Sequence, residues 1–172
     1  MIIRIDEIQS SSSEFELRFD PSEFDSLGEG ITLRSPVQSR VHIRKVGVDI
    51  DIKGQLSTAL QLDCSRCLEP QIFSIQNDLH VIYRDVRWVE TAPEVQLEAE
   101  DMLVSYYAGD TLNLLEVARE QILLAIPLQF ICKMDCAGLC PQCGQNRNLG
   151  KCSCREDKID PRLAVLTKLL QN

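Results

Sequence analysis

The chain has 172 residues, 44% of them hydrophobic, which is enough for one sizeable core and a small appendage. Its formal net charge of -8 excludes a protein that grips nucleic acid with its whole surface. The longest apolar run, ILLAIPL at 122–128, is too short to span a bilayer and is broken by Pro127.

The opening MIIRIDEIQSSSSEFELRF alternates apolar and charged residues and lacks the basic start and apolar stretch of a secretory signal. A cytoplasmic protein is expected. In that reducing setting the eight cysteines point to metal binding or catalysis rather than to a disulfide framework.

Residues 37–45, VQSRVHIRK, place Val37, Val41 and Ile43 on one face and Gln38, Arg40, His42 and Arg44 on the other, the period of a half-buried strand. Val46, Val48, Ile50 and Ile52 extend the alternation, and after Gly54 it resumes with Leu56, Thr58, Leu60 and Leu62. Phe73, Ile75, Leu79, Val81 and Tyr83 form a third run. An antiparallel meander with one wet face follows, and His42 and His80 are expected on that wet face.

Residues 85–100 are acidic, contain Pro93 and carry no sustained period, so they read as a solvated connection. Next, GDTLNLLEVAREQILLAIP gives the best helix signal, near 113–126. Asn113 serves as N-cap, Glu116 completes a capping box, and Leu114, Leu115, Val117, Ala118, Ile122 and Leu124 form an apolar face ended by Pro127. At the end of the chain, DPRLAVLTKLL predicts a second helix, with Asp160 as cap, Pro161 in the first turn and a stripe of Leu163, Leu166, Leu169 and Leu170.

The cysteines carry the chemistry. Cys140-Pro-Gln-Cys143-Gly144 is a two-ligand turn with glycine where the backbone must bend, and Cys152-Ser-Cys154 returns after a short loop to complete four thiolates. Cys64-Ser-Arg-Cys67 and Cys132-Lys-Met-Asp-Cys136 remain for a second site that would tie sheet to helix. Two structural zincs are therefore expected, one on residues 64, 67, 132 and 136 and one on 140, 143, 152 and 154. A rival partition takes 136, 140, 143 and one of 152 or 154 together. A redox pair at Cys64 and Cys67 would sit at the start of a helix, whereas the residues that follow predict a strand. No HExxH motif, phosphate-cradling glycine loop or Ser-His-Asp arrangement is present.

Cys64-Ser-Arg-Cys67-Leu68, the helix with Pro127, CAGLCPQCGQNRNLGKCSC and DPRLAVLTKLL resemble the bacterial YceD family, the large ribosomal RNA subunit accumulation proteins, in order over roughly the second half of the chain. Some members of that family lack the C-terminal cysteine cluster that is complete here. The resemblance implies a cytoplasmic, non-enzymatic factor in ribosome biogenesis that supports accumulation of the large-subunit (23S) rRNA.

From Lys133 onward there are seven basic and four acidic residues, so the tail is +3 and the remainder -11. Four thiolates on one zinc carry a net charge of about -2, which leaves the tail only mildly basic. Asn146, Arg147, Asn148, Lys151 and Arg155 are the candidate contacts for rRNA, the cations meeting phosphates and the amides reading base edges. The overall acidity and few aromatics count against direct RNA binding, so a basic ribosomal protein stands beside large-subunit rRNA as the expected partner. The alternative of another class is a thiol-disulfide or redox-sensing zinc protein. The expected architecture is α+β: an antiparallel β meander packed with one main helix over residues 1–131, then a zinc-ribbon-like unit and terminal helix over 132–172.

Overall fold

Strands dominate because apolar residues recur at every second position along most of the first eighty-five residues. The computed structural model describes residues 1–154 apart from 9, 26, 90–95, 97 and 98. Among these, β1 (Ile2–Arg4), β2 (Ser13–Phe19), β3 (Ile31–Leu33), β4 (Val37–Val46), β5 (Asp49–Asp63), β6 (Pro70–Asp85), β7 (Val104–Tyr107) and β8 (Thr111–Asn113) precede α1 (Leu114–Ala125). The class is mixed α+β, with one main helix against a sheet. No described helix is long and apolar enough to cross a membrane.

The principal sheet has the order β2-β4-β5-β6-β7. The first three pairings in that order are antiparallel, as a meander requires, but β7 joins β6 in parallel, so the sheet is mixed. β5 is longer than any one neighbour on its β4 side. β4 covers its first part, from Asp49 to Ser57, and β3 its last part, from Leu60 to Leu62. A separate two-stranded ribbon of β1 and β8 leads directly into α1.

The turn between β4 and β5 differs from the sequence expectation. The alternation through Val46 and Val48 crosses a reversal of direction at Gly47, whose φ is +63°, and both valines are exposed. Gly54, where the pattern paused, lies inside one continuous strand. It is there because the backbones of β4 and β5 approach so closely that a Cβ would meet the Arg40 carbonyl oxygen and lie 2.7 Å from the Val41 Cα.

One face of the sheet is dry. Val37, Ile43, Ile50, Ile52, Leu56 and Leu60 are almost fully buried there, together with Leu114 and Ile122 of α1. Each such side chain stabilises the fold by about 1.5–3 kcal/mol. The helix starts where Asn113 accepts a hydrogen bond from the Leu115 N–H, and the Tyr83 hydroxyl donates to Glu120 at 2.8 Å, fixing the helix over β6. Leu124, expected on the apolar face, is 78% exposed. From Ile122 the buried face continues near Ala125 and Ile126, and residue 124 has rotated away by about half a turn.

The opposite face is polar but not uniformly wet. Asp51 is only 6% exposed there, covered by Arg44 at 2.9 Å, His80 at 2.8 Å and Lys53 at 3.7 Å. His42 is exposed as expected, whereas His80 is half-buried because its Nε2 meets this carboxylate. Burial works against the charge of Asp51, but the hydrogen bonds from Arg44 and His80 and the nearby Lys53 outweigh it and hold its pKa below the ordinary carboxylate value.

The expected C-terminal helix and the middle of the acidic stretch lie outside the described residues.

Two stability predictions follow from this packing. Gly54→Ala should destabilise by about 3 kcal/mol or more, because backbone rather than a movable side chain blocks the new methyl. Gly47→Ala, with open space around it and only a left-handed backbone to strain, should cost about 1–2 kcal/mol. Urea titration of the two variants compares them. For Asp51, a depressed folded pKa contributes stability that is present above the unfolded value and lost as pH falls through the folded one. The stability gap between the natural protein and Asp51→Asn, measured by thermal melts, should be widest near neutrality and close as the pH drops below the carboxylate range.

Candidate metal centres

β5 and β6 are fifteen and sixteen residues long, so their hairpin carries its turn about 45–50 Å along the strands from the Gly47 end. That distant turn is Cys64-Ser65-Arg66-Cys67. The Cys64 N–H reaches the Glu69 carbonyl at 3.1 Å, and the Leu68 N–H reaches the Cys64 carbonyl at 2.9 Å. The backbone can close this way only if the residue after the second cysteine turns left-handed, and Leu68 has φ +58°.

The second Cys-x-x-Cys is built identically. The Cys140 N–H meets the Gln145 carbonyl at 2.8 Å and the Gly144 N–H meets the Cys140 carbonyl at 2.9 Å, with Gly144 at φ +72°. Glycine tolerates that conformation; leucine accepts it at a cost of about 1–2 kcal/mol.

After α1 the chain returns to the hairpin tip. Phe130 packs edge-on against Phe73 of β6, ring centres 5.7 Å apart, and its carbonyl accepts from Ser65 N–H at 2.8 Å. Cys132 and Cys136 are thereby delivered to the turn. The structure brings the eight cysteines into two groups: 64, 67, 132 and 136, and 140, 143, 152 and 154, with the sulfurs of each group all within 4.8 Å of one another. The rival partition would join Cys136 to sulfurs that lie in the other group.

In the first group the Cys64 and Cys136 sulfurs are 3.8 Å apart and those of Cys67 and Cys132 3.7 Å. These distances are far beyond the roughly 2.05 Å of a disulfide. They match the edge, about 3.8 Å, of a tetrahedron of sulfurs about 2.3 Å from a central ion. Both groups could hold metal ions.

Electrostatics fit the same reading. The Cys132 N–H, working against burial and aided by the Arg66 N–H, draws the Cys64 thiol down to about 6. The Cys143 and Gln142 N–H groups likewise bring Cys140 to about 6, and the Asn148 side chain lowers Cys136. Their neighbours are driven the other way. Burial and the adjacent sulfurs push Cys132 up to about 12, and the Cys143 sulfur with burial pushes Cys154 up to about 12. Amides therefore favour sulfur anions that cannot all form beside one another. A dication at the centre removes that conflict.

The groups differ in exposure. Cys64, Cys67 and Cys136 are buried, with Cys132 partly so, whereas in the second group Cys140 alone is buried, Cys143 is exposed and Cys152 and Cys154 are half-buried.

The loop expected to meet RNA is largely occupied with the protein itself. Asn148 accepts from the Ala137 N–H at 2.9 Å and donates to the Cys136 sulfur at 3.4 Å, and Asn146 donates to Glu69 at 3.1 Å. Arg147 and Lys151 are exposed, and Arg155 lies outside the described residues. Arg66, inside the first turn, donates to the Cys136 carbonyl at 3.1 Å, and its own carbonyl accepts from Leu139. The supporting roles of Arg66 and Asn148 leave no mark in the linear sequence beyond their places inside or between ligand pairs. The Asp51 cluster was equally hidden, since an aspartate between Ile50 and Ile52 reads as one more wet-face residue.

A family model described as large ribosomal RNA subunit accumulation protein YceD matches residues 52–170. The uncharacterized protein YlbN of Bacillus subtilis is 28% identical over 177 residues, an alignment covering 99% of this chain and 95% of that protein. The uncharacterized protein Rv2926c of Mycobacterium tuberculosis is 26% identical over 130 residues, or 76% of this chain, and ML1660 of Mycobacterium leprae is 24% identical over 136 residues, or 79%. The aligned region spans 60% of the length of each of these mycobacterial proteins. No solved structure matches.

Elemental analysis of the purified chain should find two divalent ions per molecule. Cys64→Ser/Cys67→Ser should lose one of them and Cys140→Ser/Cys143→Ser the other. Acid should release both, as the thiolates take up protons.

Proposed function

We propose that this chain, which belongs to the YceD family of large ribosomal RNA subunit accumulation proteins, supports large-subunit rRNA accumulation by binding, without catalysing a reaction. The observation that carries the reading is the span of the family match, which runs from within β5 through both cysteine groups. The part of the chain that shares the family description is thus the part organised around the hairpin tip.

Zinc is the ion that best suits the donors. Four sulfurs at tetrahedral spacing suit zinc or a single iron, and their closeness within each group leaves space for one ion rather than a polynuclear cluster. Cys64, Cys67, Cys132 and Cys136 would hold one zinc and Cys140, Cys143, Cys152 and Cys154 the other. When bound, each zinc supplies cross-linking alone, because four protein ligands leave no open position for a reacting water. The first would lock the segment after α1 onto the hairpin tip. A thiol-disulfide role fits less well, since Cys64 and Cys67 occupy a strand-to-strand turn and Cys64 is fully buried.

The partner we infer is large-subunit rRNA or its precursor, met at the exposed end of the cysteine unit. Arg147 and Lys151 are the described cations placed to contact phosphates there, with Arg155 following in the sequence. Asn146 and Asn148, whose amides are engaged internally, would hold this loop in shape rather than read bases.

Sedimentation of the tagged protein from a gentle lysate tests the proposal. Co-migration with large-subunit precursors that disappears after RNase is the expected result, and Arg147→Glu/Lys151→Glu should weaken it and flatten its salt dependence by roughly one unit of slope per lost contact. Co-migration that survives RNase would replace RNA with a basic ribosomal protein as the contact. Protein that stays at the top of the gradient even at low salt would overturn ribosomal binding.

A further inference from the structure

We propose that Asn148 couples the two metal centres, so that filling the exposed centre of Cys140, Cys143, Cys152 and Cys154 tightens the buried centre of Cys64, Cys67, Cys132 and Cys136. This rests on the reading that both groups hold metal, and adds that they do not hold it independently.

Asn148 belongs to one centre by sequence and to the other by contact. It sits in the loop between Cys143 and Cys152, both of which are ligands of the exposed centre. Its side chain nevertheless donates to Cys136, a ligand of the buried centre, at 3.4 Å. The orientation of the amide is dictated by backbone donors. Ala137 N–H must meet an oxygen, so Oδ1 faces it and Nδ2 is left to face the sulfur. Asn146 reinforces the pose, its Oδ1 accepting from both the backbone N–H and the Nδ2 of Asn148.

An N–H donated to a thiolate stabilises the charge that the metal requires and fixes the direction of the sulfur lone pairs. That donor sits on a loop whose two ends an ion shared by Cys143 and Cys152 would tie together. Three further hydrogen bonds run between the same pieces. Arg147 N–H meets the Gly138 carbonyl at 2.9 Å, Leu139 N–H meets the Arg66 carbonyl at 3.0 Å, and Asn146 donates to Glu69 across the first turn. Gly138 is buried with φ +70°, and a Cβ there would lie 3.0 Å from the Arg66 carbonyl oxygen, so the two turns are packed backbone to backbone. Opening the exposed centre therefore loosens the shell of the buried one. Binding linkage makes the effect reciprocal.

The exposure difference gives the coupling a direction in time. A chelator reaches Cys143 before it reaches Cys64, so the exposed zinc leaves first and its loss weakens the second.

The test uses the full chain loaded with zinc and challenged with chelators of graded affinity, the released metal being counted by a chromophoric indicator. Cys152→Ser/Cys154→Ser should keep one zinc, bound about tenfold more weakly than the tighter zinc of the natural protein. Asn148→Asp is nearly isosteric and keeps the acceptor for Ala137 N–H while removing the donor to sulfur. It should keep two zincs with the tighter one weakened by about tenfold or more, as should Asn148→Ala. Adding Asn148→Asp to Cys152→Ser/Cys154→Ser should cause little further loss, the mark of one shared interaction. An unchanged affinity of the tighter zinc in the Asn148 variants, or fully additive losses in the combined variant, would overturn the coupling and leave the two-zinc reading intact. A natural protein that retains no zinc would overturn that reading itself.

Discussion

The closure of the hairpin tip, where the Cys64 N–H meets the Glu69 carbonyl and Leu68 is forced left-handed, is the constraint on which the cysteine end depends. Two long antiparallel strands would normally be joined by a turn of glycine, asparagine or aspartate. Here the turn residues are metal-ligand types, and the bend is made with a leucine. Such strain is kept when surrounding structure over-determines it. The returning segment after α1 does this by bonding to Ser65, Arg66 and Glu69 in succession, through Phe130, Leu139 and Asn146.

The same turn appears twice with the same hydrogen bonds but in different surroundings. At the hairpin tip it is backed by two strands, and three of the four cysteines of its group are buried; at Cys140 it is backed by a short loop, and of the four cysteines there Cys140 alone is buried. Apolar burial does little for the second unit, since Leu149, the leucine in the loop between its ligand pairs, is 81% exposed. A segment with so little core needs a staple. Metal ligation is the staple its donors suit.

The sheet answers a different demand. Its dry face is ordinary packing under α1, but its polar face contains a carboxylate sealed by three partial covers, Arg44, Lys53 and His80. A buried charge is expensive unless paired, and replacing such a cluster with apolar residues often costs nothing. What the arrangement does secure is order. Arg44, Lys53 and the His80 ring are drawn onto one carboxylate and so held in place across β4, β5 and β6.

Much of this was legible in the linear sequence because its signals are local. Period-two apolar residues defined β4, β5 and β6, an asparagine before an apolar helical stripe marked α1, and the Cys-x-x-Cys spacings marked both turns as metal-ligand types. Where local patterns ended, so did legibility. The alternation could not reveal that direction reverses at Gly47, since a hairpin preserves the period on either side of its turn. It could not place Leu124, because an amphipathic face is defined only by what packs against it. Above all, the sequence left open which cysteines meet. Cys67 and Cys132 are sixty-five residues apart, and only the length of the β5–β6 hairpin and the return path through Phe130 bring their sulfurs to 3.7 Å. Asn148 likewise has a loop address in the sequence and a sulfur address in the fold. Residue type and spacing determine what a side chain can bind; the tertiary structure decides which partner is near enough, because the energies involved fall away within a few ångströms.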